Sequence, residues 1–82
     1  MEKNEILKQV QNIVADHNGI LPNEVPQDAN FEKDLKMDSL DFTEVIMQSE
    51  VDFKCSLPEE DLDKIKTIND LVDLIYSQKT SL

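Results

Sequence analysis

The chain has 82 residues, 39% hydrophobic, with one Gly, three Pro and no Trp, which fits one small helical domain and leaves no room for a deep catalytic cleft. A net charge of −10, from 18 acids against 8 Lys and no Arg, excludes nucleic acid and anionic membrane surfaces as partners and favours a partner with a basic face. One Cys makes no internal disulfide, and no apolar run approaches the ~20 residues of a membrane helix or forms a signal-peptide core, so a cytoplasmic protein is expected.

Residues 1–17 read as a first helix, with Ile6, Val10, Ile13, Val14 and His17 at helical spacing and Asn4 as a candidate cap. Asn18-Gly19 is a stop signal, because Gly adopts the left-handed conformation without strain. His17, in the last turn, is expected to face the negative end of the helix dipole. Residues 20–38 hold Pro22 and Pro26, which forbid a regular helix. This long connection carries Ile20, Leu21, Val25, Phe31, Leu35 and Met37, enough apolar anchors to pin it to a core. The second helix reads as 39–53, capped by Asp38 or Ser39 and reinforced by Asp41 in its first turn. Pro58 opens a short third helix expected to reach about Ile65. Thr67-Ile-Asn-Asp70 is a capping box that starts a last helix running to about Ser77. Residues 79–82 read as a frayed tail of a single domain spanning 1–82. The expected fold is all-α: a small four-helix bundle, three main helices plus a short third, with a long loop between the first two.

Enzyme constellations fail early. One His, one Cys and no Arg leave little for acyl or phosphoryl transfer, and one Gly cannot build a phosphate-cradling loop. The acids lack the spacing of a Ca²⁺ loop, so no metal site is expected. The charge is nevertheless concentrated, since residues 38–63 hold nine acids and one base. On the second helix, Phe42, Val45, Ile46, Ser49 and Phe53 share the face with the bulk to be the core side. A small hydroxyl at Ser49 is expected to bond back to the Val45 carbonyl and to leave room there, so that Leu would be tolerated. Leu40, Thr43, Glu44, Met47 and Val51 share the opposite face. There Leu40, Met47 and Val51 form an apolar stripe bordered by Asp41, Glu44 and Glu50, the pattern of a docking surface. Ser39 heads this helix, where unpaired N–H groups and the dipole favour a phosphate.

The stretch 31–41, Phe31-Glu-Lys-Asp-Leu-Lys-Met-Asp-Ser-Leu-Asp41, resembles the attachment loop of acyl carrier proteins, centred on Asp38-Ser39-Leu40. Glu44-Val-Ile-Met47, Glu50-Val-Asp-Phe53, Leu57-Pro-Glu-Glu-Asp61 and Lys64-Ile-Lys-Thr-Ile68 extend the resemblance over residues 4–77. It implies a non-catalytic carrier whose Ser39, next to Asp38, holds 4′-phosphopantetheine placed there by a separate transferase. The cofactor's thiol would carry acyl chains as thioesters for fatty-acid or related biosynthesis. It also implies a monomer that docks acyl-processing enzymes through their basic patches, with Leu40, Asp41, Glu44 and Met47 on the docking face and Ile65 as a contact near the cofactor arm. Lys36 stands where the family usually has Gly, Thr43 and Ser49 replace usual apolar residues, and Val51 replaces a common acid. These departures keep open a specialised carrier of a polyketide-type or aminoacyl group, beside an unmodified acidic helical adaptor.

Overall fold

The computed structural model describes residues 2–80, with four α-helices: α1 (Lys3–Asn18), α2 (Ser39–Phe53), α3 (Glu59–Leu62) and α4 (Ile68–Thr80). Three of them are long and the third is a single turn, as the chain pattern predicts.

Helix α1 begins one residue earlier than its expected cap. Glu2 is the N-cap and its N–H donates to Glu5 Oε1 at 3.2 Å, while Asn4 lies inside the helix. Gly19 ends it at φ 68°, with its N–H on Ala15 O. Ile6, Val10, Ile13, Val14 and Ala15 are buried, so one apolar stripe faces the bundle. Helix α4 supplies the opposing stripe, with Ile68, Leu71, Val72 and Ile75 buried. Its capping box is formed as the sequence predicts: Asp70 N–H donates to Thr67 Oγ1 at 3.2 Å and Thr67 N–H to Asp70 Oδ2 at 3.1 Å.

The tail departs from the expectation of fraying. Helix α4 continues through Thr80, and Lys79 Nζ donates to Phe53 O, the last carbonyl of α2, at 2.8 Å. That carbonyl is one of the orphans every helix end leaves, and an ammonium satisfies it while countering the dipole. Residues 81 and 82, the rest of that tail, lie outside the described residues. Helix α3 also differs, ending at Leu62 rather than near Ile65. Ile65 lies in the connection to α4 and is buried.

The long connection is held at both faces. Pro22–Glu24 forms a 3₁₀ turn, and Gln11 Nε2 ties it to α1 by donating to Val25 O at 2.7 Å. Further on, Asn30 organises a tight turn, its Oδ1 accepting from the N–H groups of Glu32 and Lys33 while its own N–H donates to Asp34 Oδ2. Phe31 N–H donates to Lys66 O at 2.9 Å and Ile68 N–H to Ala29 O at 3.0 Å, binding the loop to the start of α4. Val25, Ala29, Phe31 and Met37 are buried as a result, whereas Leu21 stays exposed. The loop is therefore a fixed wall that delivers the chain to Asp38 in one orientation.

Candidate functional site

Asp38 is the N-cap of α2, so of the two expected caps the aspartate takes the role and Ser39 becomes the first helical residue. Asp41 N–H donates to Asp38 Oδ1 at 2.9 Å, and Asp38 N–H donates to Asp41 Oδ2 at 3.3 Å. This reciprocal box satisfies the third amide of the helix. The amides of Ser39 and Leu40 keep no intrachain acceptor among the described residues, and neither does the exposed Ser39 hydroxyl. A nucleophilic oxygen thus stands at the positive end of a 15-residue helix without competing bonds.

Beside it opens a hollow of about 1030 Å³ between the loop leading into α2, α2 itself and the segment after α3. Met37, Phe42, Leu62 and Ile65 form its apolar wall, and Lys33, Lys36 and Lys66 lie among its polar residues. Phe42 meets Phe31 edge-on, with ring centroids 5.2 Å apart. The exposed hydroxyl, the free helix-end amides and the adjoining hollow fit a phosphodiester-linked arm on Ser39.

Ser49 takes no part in this hollow. It is fully enclosed, and its hydroxyl donates to Val45 O at 2.8 Å. It also borders no part of a smaller second cleft, of about 340 Å³, that runs between α1 and α2. The expected spare room for Leu at this position is therefore absent from both hollows. Ser49→Leu should overpack the core and lower stability by about 1–3 kcal/mol, whereas Ser49→Ala should stay within about 1 kcal/mol of wild type. Urea unfolding checks both, and a raised midpoint for the Leu variant would show unfilled volume.

Lys36 adopts φ 58°, the left-handed conformation that Gly takes without cost. A non-glycine residue pays about 1–2 kcal/mol there, and Gly returns part of that gain through its freer unfolded chain. Lys36→Gly should therefore raise stability by about 0.5–1 kcal/mol in the same urea assay.

The expected docking stripe is on the surface. Leu40 is 66% exposed, Met47 59% and Val51 69%. Its acidic border divides by role. Glu44 is exposed. Glu50 is turned inward, with Oε2 accepting from Leu57 N–H at 2.9 Å, so it holds the α2–α3 connection. Asp41 is half-buried and bonded on both oxygens. Ile65 is 6% exposed, so it offers a wall of the hollow and no part of the outer stripe.

His17 was expected to serve its own helix end, but its ring reaches across to α2. Nε2 lies 3.0 Å from Asp41 Oδ1 and Nδ1 lies 3.6 Å from Glu44 Oε2. Periodicity marked His17 as facing inward, yet nothing in a single sequence shows which residue of another helix it meets. The hydrogen bond from His17, followed by that from the Asp38 N–H, holds the Asp41 carboxyl below the usual range. A depressed carboxyl pKa contributes stability above the unfolded value of about 3.9 and loses it as pH falls through the folded value. Comparing urea midpoints from pH 5 to pH 3 should show wild type losing its advantage over Asp41→Asn toward the acid end. Burial pushes the half-buried Cys55 thiol up, keeping it protonated and unreactive. Among the described residues no three His, Cys, Asp or Glu side chains group to hold a metal ion, and no helix is long and apolar enough to cross a membrane.

Comparison with known proteins agrees with this geometry. The phosphopantetheine attachment site family matches residues 8–75. The acyl carrier protein of Rubrobacter xylanophilus is 40% identical over 81 residues, covering 99% of this chain and all of that one. The acyl carrier protein of Thermosynechococcus vestitus is 43% identical over 78 residues, 95% of this chain and 96% of its own. Among solved structures, the acyl carrier protein from Enterococcus faecalis superposes with a TM-score of 0.78 at 32% identity, over 95% of this chain and 99% of the other. The chain belongs to the acyl carrier protein family, whose cofactor is covalently attached 4′-phosphopantetheine.

Proposed function

We propose that Ser39 is the residue esterified by 4′-phosphopantetheine, and that the whole chain is one carrier domain presenting acyl thioesters to fatty-acid or related biosynthetic enzymes in the cytoplasm. The observation that carries this reading is the unbonded, exposed Ser39 hydroxyl at the head of α2 beside an open hollow of mixed polar and apolar lining. The cofactor supplies a flexible arm whose thiol forms the thioester. The chain's own residues do the rest. Asp38 and Asp41 fix the first turn of α2, and the Ser39 and Leu40 amides favour the phosphate charge there. Met37, Phe42, Leu62 and Ile65 offer the arm apolar contacts among the polar residues of the hollow.

Partners dock on the surface around Leu40, Glu44, Met47 and Val51, the apolar residues giving contact area and the acids steering basic patches. Acyl-transfer chemistry belongs to those enzymes. Intact mass of the protein from its native host tests the proposal. One phosphopantetheinyl increment, mapped by peptide mass to Ser39, supports it, and any residual acyl mass identifies the cargo as fatty, polyketide-type or aminoacyl. An unmodified chain from a host that contains an active transferase overturns it in favour of the adaptor reading.

A further inference from the structure

The residues flanking Ser39 are anchored on a different helix through one carboxylate. Asp41 Oδ2 accepts from Asp38 N–H at 3.3 Å, while Asp41 Oδ1 lies 3.0 Å from His17 Nε2, at the end of α1. A capping box by itself sits at an exposed helix end, where local opening is easiest. Here its central acid is also tied to a ring that is 22% exposed on a neighbouring element. We propose that His17 is a positioning residue for the modification of Ser39: it holds Asp41, and through Asp41 the capping box that sets where Ser39 Oγ stands. This rests on the reading of Ser39 as the attachment residue.

The charged groups around the ring are few. Glu44 faces Nδ1 at 3.6 Å, and Asp16 and Asp52 line the same cleft. A neutral ring with its hydrogen on Nε2 donates to Asp41, and a protonated ring does the same while also donating toward Glu44. With the hydrogen on Nε2, the tether to Asp41 is therefore made in either charge state. Loading forms a bond from Ser39 Oγ to phosphorus and breaks the pyrophosphate P–O bond of the donor, coenzyme A, so that adenosine 3′,5′-bisphosphate leaves with the bridging oxygen. The hydroxyl proton passes to a base of the transferase. The chain's contribution is the location of Oγ, and a misplacement near 1 Å costs such a reaction on the order of 100-fold.

Steady-state loading with coenzyme A and one phosphopantetheinyl transferase, paired with amide hydrogen exchange on the unloaded chain, tests the proposal. His17→Leu keeps bulk and removes the donor, so kcat should fall about tenfold with KM within about twofold, and protection should fall at the Asp38 and Asp41 amides specifically. His17→Gln keeps a donor and should restore kcat to within about threefold of wild type. His17→Asn, too short to reach Asp41, carries the same expectation as Leu and covers the case in which Leu disturbs folding. A wild-type kcat in the Leu and Asn variants, or protection lost evenly over all helices, overturns the inference. A wild type that loads while His17→Leu is unimpaired overturns this inference alone. A wild type that takes no phosphopantetheine at Ser39 overturns the attachment reading and this inference with it.

Discussion

Ser39→Ala should fold like wild type and take up no phosphopantetheine mass. The two halves of that result have separate causes. The side chain of Ser39 bonds nothing among the described residues, and the cap of α2 is Asp38. Losing the hydroxyl therefore leaves no buried group unsatisfied, and Ala is a better helix former than Ser, so stability should change by no more than about 0.5 kcal/mol. Loading, by contrast, should vanish, because no other hydroxyl stands at the head of α2. Thr43 is the next along the helix, and its Oγ1 is spent on the Ser39 carbonyl at 2.8 Å. Circular dichroism with urea unfolding checks the fold, and intact mass after incubation with transferase and coenzyme A checks the loading. An Ala variant that gains the phosphopantetheinyl mass would remove Ser39 from its role.

The second large effect is expected at Glu44. Glu44→Lys should lower kcat/KM for loading and for acyl transfer about tenfold at low salt, because a reversed charge both removes an attraction and adds a repulsion for a basic partner. Stability should shift by no more than about 0.5 kcal/mol, since the side chain is exposed and its contact with His17 is long, at 3.6 Å. Wild-type rates should also fall as salt rises, with the screening length shrinking from about 10 Å at 0.1 M to about 3 Å at 1 M. The two perturbations should overlap, so the variant loses less than wild type between those salt levels. Rates that ignore both the reversal and the salt would move the docking surface away from this face of α2.

What a carrier of this size can be read from in one dimension is its local physics. Helical spacing placed Ile6, Val10 and Val14 on one stripe of α1, and the capping signals at Asp38 and Thr67 marked helix starts that the structure reproduces. The same spacing put Phe53 and Val45 inside and Leu40, Met47 and Val51 outside. These features follow from neighbours within four residues, so the order of residues alone determines them. The end of α4 was misjudged because its stability comes from elsewhere: Lys79 reaches the last carbonyl of α2, 26 residues away.

The remaining decisions are tertiary. Glu50 and Asp41 look alike in the sequence, as acids bordering an apolar stripe. Folding turns one to the Leu57 amide and the other to His17 and Asp38, leaving Glu44 as the exposed charge among the three. Ile65, expected as a contact near the cofactor arm, is a buried wall of the hollow beside Ser39 because α3 stops at Leu62 and the chain turns inward after it. Ser49, a gap on a helical wheel, is fully enclosed once the other helices close over it, with its hydroxyl on the Val45 carbonyl. Composition, charge and the starts of α2 and α4 were thus set by the sequence itself. Which acids are free, where the hollow lies and what α1 does for α2 required the helices to be packed, because a contact between distant residues has no periodicity by which it could be read.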